Sequence, residues 1–143
     1  MPSTTSATRP LLRDLPPPGR LFVAALRAGR TDLRTGCAWA DGELLALCDA
    51  AGLRRCAAAR VGACAAFLLR EATMDPLCLG APGCAGVTGS ETALAAAIAG
   101  SPAAVHAARR MVAGWLPVRR RLPGLVLLDL AAQDLAAWAS RQG

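Results

Sequence analysis

The residues with the most chemistry to offer lie in the stretch "LCLGAPGCAGVTGSE", Leu77 to Glu91. There Cys78 and Cys84 are separated by five residues, Leu-Gly-Ala-Pro-Gly. A thiolate pair is a ligand set for zinc, but structural zinc sites draw on tighter cysteine pairs and need two such arms. No second pair exists here, and the chain's single histidine is His106. A zinc site would therefore be built from Cys78, Cys84, Cys37 and His106, gathered by the tertiary fold. A second chemistry is thiol reactivity: Cys84 precedes a helix start, where unpaired N–H groups and the helix dipole favour a thiolate. The plainest reading is a helix connector whose turns are set by Gly and Pro.

The other cysteines read differently. Cys48 and Cys64 fall on apolar helix faces and are expected as small buried hydrophobes. Cys56, beside Arg55, sits at a face boundary. No Ser, His or Asp recurs at a spacing suited to nucleophilic catalysis, and the acids are scattered singly. The sequence therefore points away from an enzyme.

His106 shares a helix face with Arg109 and Arg110, and Arg119, Arg120 and Arg121 follow in a basic run. These five arginines are the candidate contacts for nucleic acid or another anion. The segment "ALAAAIAGSPAAVHAARR" has the outline of a helix-turn-helix. Ala95, Ile98, Val105 and Ala108 take its small and aliphatic positions, and Ser101-Pro102 opens the second helix. The turn glycine of that motif would fall at Ala99, with Gly100 one place late. Only His106, Arg109 and Arg110 could donate to bases.

All 16 basic residues are arginine, and the net charge is +6. This balance favours the phosphates of nucleic acid, an acidic protein surface or anionic headgroups as partner. The N-terminal "MPSTTSATRPLLRDLPPPGR" lacks the apolar core of a secretory signal, and no stretch reads as a membrane span. A cytoplasmic protein with reduced thiols is expected.

At 143 residues the chain suffices for one domain. Residues 1–18 read as a flexible, Pro-rich tail and residues 19–143 as a helical domain. In "RLFVAALRAG", Leu21, Phe22, Ala25 and Leu26 share a helical face, and Gly29 fits a stop. Asp41 is the expected N-cap of "GELLALCDA", closed by Gly52. A third helix is expected from Leu53 to Thr73, with Val61, Cys64, Phe67 and Leu68 as its stripe.

Thr88 with Glu91 three residues later is a capping box, opening a helix that runs to Gly100. Ser101 and Pro102 begin another, with Val105, Ala108, Val112 and Trp115 inward. A basic connector through Arg119 to Arg121 then leads to a last helix, introduced by Pro123 and Gly124 and seamed by Leu128, Ala131, Leu135 and Trp138. The fold class is all-α, a single-domain bundle of five or six short helices.

At "CAGVTGSETALAAAIAG", and at "RLFVAALRAG" near the N-terminus, the chain resembles a bacterial family of short all-α proteins described as a domain of unknown function. That family has a Cys-rich patch before a Thr-x-x-Glu helix start, matched here by Cys84, Thr88 and Glu91. The family clusters its cysteines, whereas Cys78 and Cys84 are spread apart here. The resemblance implies a helical fold and no particular activity.

Overall fold

A computed structural model describes residues 10–72 and 77–142. The described residues contain six α-helices: α1 Pro17–Thr35, α2 Glu43–Ala50, α3 Arg55–Glu71, α4 Gly89–Ala99, α5 Pro102–Gly114 and α6 Val118–Gln142. They form the single all-α bundle that the apolar periodicity predicts.

α1 is the central helix. Its expected stripe of Leu21, Phe22, Ala25 and Leu26 is buried, and Val23, Ala28 and Gly29 are buried as well. The reason is that α2, α3, α4 and α6 all pack on it, so it has little solvent face. Gly29 does not stop the helix. A Cβ there would lie 3.0 Å from Leu44 Cδ1 and 3.2 Å from Leu69 Cδ1, so its role is close approach. The stop comes at Gly36, whose φ of 70° is the left-handed conformation that glycine adopts without strain.

α2 is capped from a distance. Asp41 lies in a short 3₁₀ turn, Trp39–Asp41, and the N-cap is Gly42. The cap itself is the carboxylate of Asp32 on α1, which accepts from the N–H groups of Glu43 (2.7 Å) and Leu44 (3.0 Å). This satisfies two of the orphan donors at the helix start. A Cβ at position 42 would meet Asp32 Oδ2 at 2.5 Å, so the glycine admits the cap.

α3 presents Ala58, Val61, Cys64, Ala65 and Leu68 to the core, with Phe67 half-buried. It begins at Arg55 and ends at Glu71, slightly inside its expected bounds, of which Thr73 lies outside the described residues. Ser101 caps α5 through the Ala104 N–H, with Pro102 as the first helical residue, as expected.

α6 departs most from expectation. It begins at Val118, so the basic run Arg119 to Arg121 is helical and Pro123 lies inside the helix. Pro123 removes one backbone bond near the N-terminal end. The helix continues through it because Gly124 packs tightly: a Cβ there would lie 2.5 Å from Leu116 Cδ1 and 3.1 Å from Phe67 Cε1. Leu128, Ala131, Leu135 and Trp138 are buried as the expected seam. The Trp138 indole N–H also donates to the Ala51 carbonyl (2.8 Å), tying the end of α6 to the end of α2. With five more residues at its start, α6 becomes, among the described residues, the one helix long and apolar enough to cross a membrane by length and composition. The expected connector and the shorter helix after it are one continuous helix.

The expected tail is ordered in its second half. Residues 1–9 lie outside the described residues, but Leu12–Asp14 form a 3₁₀ turn and α1 starts at Pro17 rather than near Gly19. Leu11 makes an antiparallel bridge with Gly86. The Leu12 N–H donates to Ala85 O (2.7 Å), and the Val87 N–H donates to Pro10 O (3.1 Å). Backbone pairing with the cysteine loop supplies the order that side-chain burial alone does not.

Candidate functional site

The cysteine loop is built around a buried charge pair, Arg27 on α1 and Glu91 in the first turn of α4. Local physics places Glu91: Thr88 Oγ1 accepts from the Glu91 N–H (3.1 Å), and Glu91 Oε1 accepts from the Thr88 N–H (2.9 Å), completing the capping box. The Glu91 side chain is fully buried, and Arg27 is 1% exposed.

The pair is bidentate. Arg27 Nε donates to Glu91 Oε2 (2.7 Å), and Nη2 donates to Oε1 (2.8 Å). The remaining donors turn to the loop: Nη1 reaches Cys84 O and Nη2 reaches Gly86 O, both at 2.8 Å. Glu91 Oε2 also accepts from the Gly80 N–H (2.9 Å). Both carboxylate oxygens therefore accept two hydrogen bonds each, and no buried side-chain N or O among the described residues lacks a partner. A Cβ on Gly80 would lie 2.7 Å from Arg27 Nη2, so the chain passes the guanidinium where only glycine fits.

A neighbouring arginine extends the clasp. Arg30, one turn along α1, donates to Leu79 O (2.9 Å) and Gly80 O (2.6 Å). Thr88 Oγ1 donates to Cys78 O, and the Cys78 N–H donates to Ser90 Oγ (3.2 Å). Between these anchors, Ala81-Pro82-Gly83-Cys84 forms a turn closed by Cys84 N–H to Ala81 O (2.9 Å). Loop carbonyls that would otherwise be poorly solvated are met by guanidinium donors.

Desolvation pushes the Glu91 pKa upward. The Arg27 hydrogen bond, the Thr88 and Gly80 N–H groups and the Arg27 charge outweigh it, and the net shift is below the ordinary glutamate value. Arg27 is shifted upward, chiefly by its hydrogen bond to Glu91. Both groups are charged, with nearly all of their hydrogen-bonding capacity in use. The arrangement holds a loop in place and leaves no lone pair for acid–base chemistry.

The four residues of the expected zinc site are not brought together. Cys78 and Cys84 are exposed on the clasped loop. Cys84 lines a groove with Arg13, Arg20 and Pro82, whereas Cys37 lies in a separate cleft of about 250 Å³ with Trp39, Asp32 and Arg70. His106 is exposed on α5, which packs on α4 and α6. Among the described residues no three His, Cys, Asp or Glu side chains gather as a metal site. Cys48 and Cys64 are buried as expected, and burial pushes their thiols up to about 11 and about 12.

The candidate anion contacts are largely engaged within the chain. Arg109 pairs with Asp129 of α6, Arg120 with Glu71 of α3 (3.3 Å), and Arg121 Nε donates to Leu116 O (3.2 Å). Arg110 and Arg119 are exposed and form no hydrogen bond or ion pair among the described residues. In the helix-turn-helix segment Ala95, Ile98 and Ala108 are buried. The outer side of α5 offers Ala103, His106, Ala107 and Arg110.

Two features escaped the sequence reading. Arg27 carried a signal, since a lone arginine inside an otherwise apolar helical stretch needs a buried carboxylate partner. The other is the outer face of α6. Val118 is 75% exposed, Leu122 73%, Val126 49% and Leu130 38%, four residues apart on one ridge. The ridge exists only because the helix starts at Val118 and runs through Pro123. No family model matches this chain, no curated protein matches it, and no solved structure matches its fold.

Proposed function

We propose that this chain is a cytoplasmic, non-enzymatic interaction protein that works by docking the outer face of α6 against a partner helix. One observation carries the reading: α6 is apolar on both sides. Its inner seam of Leu128, Ala131, Leu135 and Trp138 is covered by the bundle, while Val118, Leu122, Val126 and Leu130 face outward. A ridge of exposed apolar residues opposite a buried seam marks an interaction site. Met111 of α5 is also 54% exposed.

The Arg27–Glu91 clasp serves this function as a brace. It fixes α4 to α1, and α4 in turn supports α5 and α6. Cys84, Thr88 and Glu91, which carry the family resemblance, belong to that brace in this reading.

The test compares wild type with L122E/V126E, after circular dichroism shows equal helicity, by chemical cross-linking in the cells that express them. Wild type is expected in at least one cross-linked species that the variant loses. An unchanged cross-linking pattern overturns the reading.

A further inference from the structure

We propose that the partner of the α6 outer face is the same face of a second copy of this chain, in an antiparallel pair. The inference rests on the docking reading above and names its occupant. Its basis is a symmetry in the residues that point away from the core.

Gly124 faces inward against Leu116 and Phe67, so the direction opposite it is the middle of the exposed face. Leu122 and Val126 lie two residues before and after Gly124, and Arg119 and Asp129 lie five before and after. Arg119, Leu122, Val126, Asp129 and Gln133 also follow the alternating four- and three-residue spacing of a helix–helix seam, a seam that permits packing at a shallow angle of about 20°. When two such helices run antiparallel about the level of Gly124, each Leu122 meets Val126 of the second copy. Each Arg119 meets Asp129 of the second copy, so apolar layers fill the centre and opposite charges close both ends. Val118 and Leu130 flank the seam.

Among the described residues Arg119 is unengaged and Asp129 is engaged through one oxygen. Arg119 is exposed and makes no ion pair or hydrogen bond among the described residues. The Asp129 side chain is 56% exposed and accepts from Arg109 through Oδ1, which leaves Oδ2 open. A second copy thus supplies a cation where Asp129 has capacity and a carboxylate where Arg119 has none. An anionic lipid surface fits less well, because Asp129 stands within the strip and would face the headgroups.

The seam from 119 to 129 covers about 15 Å of helix, short for an interface that buries about 800 Å² per partner. Association is therefore expected at the weak end, and sedimentation equilibrium should run from about 5 to about 500 µM.

The chains compared are wild type, R119D, D129R, the double swap R119D/D129R, and L122E/V126E. Wild type should show a monomer–dimer equilibrium. Each single reversal should weaken it about tenfold or more, because like charges then face each other. The double swap should recover to within about threefold of wild type, and L122E/V126E should be monomeric. D129N, which removes the charge without adding a like one, should weaken association less than D129R and guards against loss of the Arg109 contact.

An R119D chain that associates as tightly as wild type would indicate parallel pairing, in which residue 119 meets its own copy before and after the change, and would overturn the proposal. So would failure of the double swap to recover. A monomeric wild type whose cross-linked species in cells still depend on Leu122 and Val126 would overturn self-pairing and leave the docking reading intact. A monomeric wild type that sediments with phosphatidylglycerol vesicles, and loses this in L122E/V126E, would assign the face to lipid and overturn both. A monomer indifferent to the two glutamates in every assay would also overturn both.

Discussion

Two regions of this molecule each hold an arginine and an acid, and they place them in opposite ways. In the clasp, Arg27 and Glu91 are fully buried, and polar loop backbone fills the space around them. On the outer face of α6, Arg119 and Asp129 are exposed at the two ends of an apolar ridge. The clasp brings polar groups inside and satisfies them, while the ridge leaves apolar groups exposed among the described residues. In water an exposed charge is cheaply solvated and determines how a surface meets another. Out of water it must be paired, and then it determines where the chain runs.

The sharpest way to break this contrast is Arg27→Ala. It strands a buried carboxylate and the two loop carbonyls of Cys84 and Gly86, and should lower unfolding free energy by about 3–5 kcal/mol in urea titration. R27M/E91L, which removes both charges, should lose clearly less than the sum of the single changes. Equal additivity would show that the pair is not coupled.

Acid gives the next effect. Glu91 has a folded pKa below its ordinary value, so its stabilisation is fully present above the ordinary glutamate value of about 4.5 and is lost as pH falls through the folded value. Arg27 is shifted upward, and its contribution stays intact at all pH values below its ordinary value. Chemical denaturation between pH 7 and pH 3 should show a loss on the acid side, and R27A should flatten the part that the clasp supplies.

Smaller effects belong to the caps. Thr88→Ala and Asp32→Ala should each cost about 1 kcal/mol by denaturant midpoint. Thr88→Ala should also loosen the loop at Cys78, whose carbonyl accepts from the Thr88 hydroxyl, and amide exchange across 78–88 would report it. At the far end of the scale, Leu122→Glu should change monomer stability by less than about 0.5 kcal/mol, because it touches only the solvent side. A large loss there would mean that the ridge is part of the core.

How much was legible in the chain follows from the range of each interaction. The Thr88–Glu91 box and the Ser101–Pro102 start were readable because both partners lie within four residues. The inner seams of α3 and α6 were readable because burial on one face leaves a helical period. Gly29 and Pro123 misled for a common reason: local propensity marks a stop and a start there, and tertiary packing carries the helix through both. The cap of α2 was unreadable, since Asp32 lies 11 residues before the Glu43 N–H that it accepts from.

By itself, then, the sequence determined an all-α bundle, the start of α4 and which helix faces turn inward, because these depend on contacts within a turn or two of helix. Tertiary structure alone decided that Glu91, positioned by its own cap, would meet Arg27 across 64 residues, and that the thiols of the loop would point to solvent and not to a shared metal. It also decided which side of α6 stayed open. A helical period marks apolar positions, but only the packing of the other helices settles which of them are covered.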